Sequence, residues 1–262
     1  MIINHVKSMF SFDEFIDGLI YGAVLGGSLC LGAWINYLTD DRSKIQFTDP
    51  FVYSHITLEE ALKSQGSLAI SSIKLGSQSW KINIDTSEYL QFKVQNHDPK
   101  EVKDFVKYVT YKHPQIIAIA EKITERCTTP EEKANKILEF VHQYVYDKRS
   151  EGKGNYVRFP LETIVEGNGD CEDLAILGAA LMKAIKLDVA LIYFPKQEGE
   201  EAGHVALGVV GDFKGSRLEL NGRKYFCAET TGTDWQNKPS TQKIGEIHKS
   251  YIGRKAFVYV VE

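Results

Sequence analysis

The apolar residues of this chain change period at about residue 186, and that change constrains its fold more than any other feature. From about residue 99 to 186 they recur at helical spacing; beyond 186 they fall into short alternating or continuous runs. Asp98-Pro99 opens a helical segment through Lys112, and His113-Pro114 opens another through Arg126. Thr129-Pro130-Glu131-Glu132 is a helix start with three signals: a capping Thr, Pro at the first helical position, and Glu three residues after the cap. Ala134, Ile137, Leu138, Val141 and Val145 continue it at helical spacing. Strands are expected at 188–194, 204–212, 216–220, 223–230 and 255–261. Helices followed by a block of strands predict an α+β class with a mainly antiparallel sheet.

Upstream the pattern is different. Ile70, Ile73, Trp80, Ile82, Ile84, Leu90, Phe92 and Val94 alternate like strands, interrupted at Gly76-Ser77 and at the turn-like Asp85-Thr86-Ser87, so 46–97 reads as a small β-rich lead-in. Within it, Thr57 and Glu60 form a capping-box pattern for a short helix over 58–63. Residues 18–38 are 21 residues without a charge, enough for a helix to cross the roughly 30 Å of a bilayer core. Tyr21, Trp34 and Tyr37 stand near its ends, and Gly18, Gly22 and Gly26 permit close helix contact. A single membrane helix is expected there, within an N-terminal segment 1–45; a buried Gly-rich helix is the alternative. Residues 98–262 form the main domain.

Composition narrows the function. The net charge is -4, and Lys and Arg are scattered rather than gathered on a basic stripe, which argues against a nucleic-acid partner. The four cysteines, Cys30, Cys127, Cys171 and Cys227, show no zinc-knuckle spacing. Cys127 and Cys227 are the only plausible disulfide pair, and they are expected to stay unpaired.

Chemistry concentrates at Gly167-Asn168-Gly169-Asp170-Cys171-Glu172-Asp173. A Gly-rich turn ends where an apolar run begins, so a buried helix is expected from about 171 to 186 with Cys171 at its N-terminus. Unpaired backbone N–H groups and the helix dipole favour thiolate there, and the Cys171 N–H is placed to help hold an oxyanion. The plain alternative for Cys171 is a small buried hydrophobe, but its place is the turn-to-helix junction, not the apolar face. His204 opens a strand 33 residues later, separated from Cys171 by one helix and one strand, which is enough chain to bring an imidazole back to the helix start as a general base. Alone it would be an ordinary surface or capping histidine. The acidic loop Gln197–Glu201 precedes it. Glu229 closes the strand expected over 223–230 and is the expected acid that orients the imidazole; Asp234 competes for that role. Cys227 shares a strand face with Tyr225 and Glu229 and should lie near the site without acting in it.

Gly169-Asp170-Cys171-Glu172-Asp173-Leu174-Ala175, Gly203-His204-Val205-Ala206 and Glu229-Thr230-Thr231-Gly232 together resemble the transglutaminase-like superfamily of cysteine enzymes, its microbial branch above all. Ile137 to Val141, Tyr144 to Asp147, Tyr156 to Thr163 and Ile244 to Ile247 also fit, so the resemblance spans about 100–250. It implies a papain-like α+β core in which the cysteine helix packs on an antiparallel sheet. It implies acyl transfer through a thioester, with Cys171 as nucleophile, His204 as base, Glu229 as acid, and Gly169, Asp170 and Tyr156 at the substrate. Two residues depart from the pattern: Glu229 where Asp is commoner, and Glu172 where animal cross-linking enzymes carry Trp.

The leading expectation is a membrane-tethered cysteine peptidase or amidase acting on a peptide or protein substrate, without a cofactor. Three alternatives stand beside it: transfer to an amine, a catalytically silent scaffold domain, and a zinc site from Cys171, His204 and Cys227.

Overall fold

A computed structural model of the protein describes residues 67–75, 78–147, 156–231 and 240–262. The chain divides into two compact units. The first, Met1–Val52 with Ile56–Gln65, lies outside the described residues, and with it the expected helix 18–38 and the short helix over 58–63. The second, Tyr53–His55 and Gly66–Glu262, carries every described element. Among the described residues no helix is long and apolar enough to cross a membrane.

The lead-in opens with an antiparallel pair, β1 (Ser67–Leu75) and β2 (Gln78–Asp85). It then departs from the expected strands. Residues Thr86–Lys93 form a helix, α1, so Leu90 and Phe92 are helical rather than extended. The cause is local: the Asp85 side chain accepts from the Ser87 N–H at 2.8 Å, which makes the supposed turn a helix cap. Thr86, Tyr89 and Phe92, three apart, face inward. The segment after Asp98-Pro99 is a 3-10 helix over Val102–Tyr108, shorter than expected.

The next two helices follow their caps. In α2 (Pro114–Thr124) the His113 ring accepts from the Gln115 N–H. In α3 (Pro130–Val141) Thr129 accepts from the Glu132 N–H at 3.1 Å, and Glu132 accepts from the Thr129 N–H at 3.1 Å. That helix stops at Val141, and Val145 enters β3 (Val145–Tyr146). After α4 (Pro160–Glu166), β4 (Asn168–Gly169) pairs in parallel with β3.

Helix α5 (Cys171–Ala184) is buried on nearly every side, including Leu174, Ile176, Leu177, Leu181 and Met182, as suits an element enclosed by others. Its neighbours are α2, α3 and α4 and the strands β5 (Val189–Phe194) and β6 (His204–Val210). Close approach to the sheet rests on Gly178, where a Cβ would stand 3.2 Å from Leu207 Cδ2. The sheet continues with β7 (Arg217–Leu220), β8 (Arg223–Ala228) and β9 (Phe257–Val260), in the order β7-β8-β6-β5-β9, all neighbours antiparallel. This is the expected α+β class, with the Cys171 helix packed on an antiparallel sheet.

Candidate active site

Three segments meet where α5 begins. Asp170 caps the helix by accepting from the Asp173 N–H at 3.3 Å, and this fixes Cys171 as the first helical residue. Opposite it, β6 begins at His204. The register that pairs Leu207 with Ala228 returns the exit of β8, and so Glu229, beside that entrance.

The residues expected as base and acid are in direct contact. His204 Nε2 lies 2.8 Å from Glu229 Oε2. The other carboxylate oxygen accepts from the Thr231 N–H at 3.1 Å and the Thr231 hydroxyl at 2.6 Å. Thr231 thus takes up the extra reach of a Glu in place of the commoner Asp. Burial works against ionisation of Glu229, but His204 and Thr231 outweigh it and hold the carboxyl below its usual range. An ionised carboxylate only accepts, so Nε2 of His204 carries the hydrogen and Nδ1 is left as the acceptor. From behind, His142 Nε2 donates to the Glu229 carbonyl at 2.7 Å; burial lowers the pKa of this imidazole and keeps it neutral.

Cys171 is 7% exposed, and the backbone N–H of Val205, the residue after His204, lies near enough to its sulfur to favour the thiolate slightly. The helix start does not by itself hold this sulfur ionised. Burial, and then the carboxylates of Glu172 and Asp170, push the thiol well above its ordinary value. The thiol donates to Glu172 Oε2 at 3.0 Å. The expected thiolate is therefore not a standing condition of the site.

The residues expected at the substrate have structural partners. Asp170 is the cap. A Cβ on Gly169 would meet Asp173 Cβ at 2.7 Å, so the close approach requires glycine. Tyr156 stacks on His97 with centroids 4.2 Å apart and donates to Glu162 at 3.0 Å. Asp234 lies outside the described residues. Cys227 is buried in the core with Ile192, Phe194 and Ala206, and burial, then Glu229, pushes its thiol up to about 11. Cys127, Cys171 and Cys227 are all free thiols. Among the described residues no group of three His, Cys, Asp or Glu side chains is arranged to hold a metal ion.

Two features escaped the sequence. A buried ionic cluster lies behind Cys171. The Arg158 guanidinium contacts Asp173, Glu166 at 2.8 Å and Asp147 at 3.2 Å, while Lys93 bridges Glu166 and Glu162. Burial, then Asp170, pushes Asp173 up to about 7 against the pull of Arg158. In front, Tyr251 stacks on the His204 ring with centroids 4.6 Å apart and planes 20° from parallel. Lys93 and Tyr251 are each far in sequence from the residues they meet, so no local spacing marks either. A cavity of about 580 Å³ elsewhere is lined by Cys127, Glu132, His142 and Lys243 but by neither Cys171 nor His204.

Residues 114–212 match a family model described as a transglutaminase-like domain; the span includes Cys171 and His204 and stops before Glu229. Over this stretch the chain is similar to the transglutaminase-like superfamily. No curated protein shows significant sequence similarity to the chain. Among solved structures, a candidate cysteine protease from Cytophaga hutchinsonii is 16% identical, with a TM-score of 0.37 over 62% of this chain and 52% of that one. EGTA-treated LapG of Legionella pneumophila is 15% identical, with a TM-score of 0.38 over 62% of this chain and 86% of its own. A TGase is 15% identical, with a TM-score of 0.35 over 70% of this chain and 48% of its own. The chain thus spans about half the length of the Cytophaga protein and of the TGase.

Proposed function

We propose that this transglutaminase-like chain is a cysteine hydrolase that cleaves peptide or side-chain amides through a thioester on Cys171. The observation that carries the reading is the His204–Glu229 contact at 2.8 Å, set beside a thiol at the start of a buried helix. Each residue then has a step. His204 Nδ1 takes the Cys171 proton, and the sulfur adds to the amide carbonyl. Glu229 stabilises the imidazolium. Imidazolium returns the proton to the leaving amine as the C–N bond breaks, which leaves the thioester. Nδ1 then deprotonates a water that attacks the thioester, and the carboxylic acid and the thiol are released.

The bond from the thiol to Glu172 supports a second reading, in which the same fold binds a peptide and does not cut it. Site-resolved alkylation separates the two. A hydrolase is expected to alkylate Cys171 with iodoacetamide faster than Cys127 near neutral pH and to release amine or ammonia from a peptide library. Equal reactivity of the two thiols, with no release, overturns the hydrolase reading. Repeating the release assay with a primary amine present distinguishes hydrolysis from amine transfer.

A further inference from the structure

Beyond the three residues of the proposed mechanism, one more side chain lies against the base. Tyr251 ends a 3-10 helix, Lys249–Tyr251, and presents its ring to the face of His204. Phe194, the last residue of β5, packs on both rings, 5.0 Å from Tyr251 and 6.4 Å from His204 between centroids. The Arg254 guanidinium carbon lies 5.0 Å from the centre of the Tyr251 ring. Arg254 in turn is almost wholly buried and makes three hydrogen bonds: to both carboxylate oxygens of Glu200, at 2.8 and 2.9 Å, and to the Pro195 carbonyl at 2.8 Å.

Pro195 and Glu200 belong to the acidic loop that runs from the end of β5 to His204. The contacts therefore close a ring: His204 to Tyr251, Tyr251 to Arg254, Arg254 to Glu200, and Glu200 along the loop back to His204. A bidentate Arg–carboxylate pair has fixed geometry as well as charge, so it holds both the loop and the aromatic ring in place.

We propose that Tyr251 is a positioning residue for His204, clamped in place by the Arg254–Glu200 pair, and that it keeps the imidazole plane aligned with Glu229 on one nitrogen and Cys171 on the other. This rests on the reading of His204 as the base. The stack has two consequences. It blocks ring rotation, which would take Nε2 off Glu229. It also places the imidazolium formed during reaction on an aromatic face, which favours the charged form. The titratable or charged groups around the imidazole are Glu229, Cys171 and Tyr251, and, beyond Tyr251, Arg254, Glu200 and His248.

The test uses the full chain and two readouts. One is the pH profile of Cys171 alkylation by iodoacetamide from pH 5 to 9, with Cys127 as internal control. The other is the tautomer of His204 from ring-nitrogen NMR shifts. Tyr251→Phe keeps the stacked ring and is expected to retain the wild-type rate and profile. Tyr251→Leu is expected to slow Cys171 alkylation at pH 7 by roughly ten- to a hundredfold, change the shape of its pH profile, and mix the two tautomers, with Cys127 unchanged. Arg254→Gln, which keeps the ring but breaks its clamp, is expected to fall between them and covers the case in which Tyr251→Leu does not fold. A wild-type profile and a single tautomer in Tyr251→Leu, or in Arg254→Gln if that alone folds, overturns the proposal. If wild-type Cys171 reacts no faster than Cys127, the hydrolase reading is what fails, and the tautomer measurement decides the role of Tyr251.

Discussion

Two charged regions flank the start of α5, and they differ in how their charges are answered. Behind Cys171, two buried cations, Arg158 and Lys93, are shared among Asp173, Glu166, Glu162 and Asp147, so each of these carboxylates has a cation beside it even though the carboxylates outnumber the cations and Asp173 is raised to about 7. In front, the thiol donates to Glu172 and is raised further by Asp170, while His204 leans on Glu229. The rear region holds a shape; the front one keeps a proton in a place from which it can be moved. A compensated cluster resists change because removing one member strands the others, whereas an uncompensated group is poised to change its protonation.

The sharpest way to break this contrast is His204→Ala. It is expected to lower amide cleavage by about a hundred- to ten-thousandfold while leaving thermal unfolding nearly where it was. A large loss of stability instead would put the base in the structural class with the rear cluster. Arg158→Met should do the reverse: unfolding by denaturant is expected to fall by about 3–5 kcal/mol, since three carboxylates lose their shared cation. An unchanged midpoint would show that the cluster does not hold the helix start.

A pH series sharpens the same point. Lys93 and Arg158 overcome burial and hold the Glu166 carboxyl down near 2, from an ordinary 4.5. Its contribution to stability is therefore present above pH 4.5 and lost as pH falls through 2. Relative to Glu166→Gln, the wild type is expected to be more stable at neutral pH by about 3 kcal/mol, a gap that closes between those values. A gap that stays constant with pH would mean that Glu166 acts by packing alone. The smallest effect is at the front. Glu172→Gln removes one of the two carboxylates that raise the Cys171 thiol, so alkylation near pH 7 should speed up, by less than about tenfold, the equivalent of one pKa unit. Slower alkylation would make Glu172 a partner in deprotonation rather than a brake on it.

The same contrast explains what the sequence made legible. Signals carried by neighbouring residues came through. Thr129 and Glu132 announced α3, the Gly-rich turn before Cys171 announced α5, and the runs around Leu191 and Leu207 announced β5 and β6. Where one local signal had two meanings the expectation failed. Asp85-Thr86-Ser87 suits a turn and a helix cap equally, and only the burial of Tyr89 and Phe92 decides for α1. Long-range features were silent. Lys93 meets Glu166 across 73 residues and Arg254 meets Glu200 across 54, and no spacing rule connects either pair. Cys171, His204 and Glu229 stood out because their local settings and the superfamily resemblance pointed to them together; Tyr251 and Arg254, outside the matched span, had nothing to announce them.

Strand β6 begins with the His204 ring and, one residue on, brings the Val205 amide hydrogen near the Cys171 sulfur. A slip of one position against β5 would turn the ring to the opposite side of the sheet and withdraw that hydrogen in the same movement. Thiol reactivity is consequently a gauge of assembly. Followed during refolding, the rate at which Cys171 takes up an alkylating probe would mark the moment the strands settle into register on the helix, before any substrate has been identified.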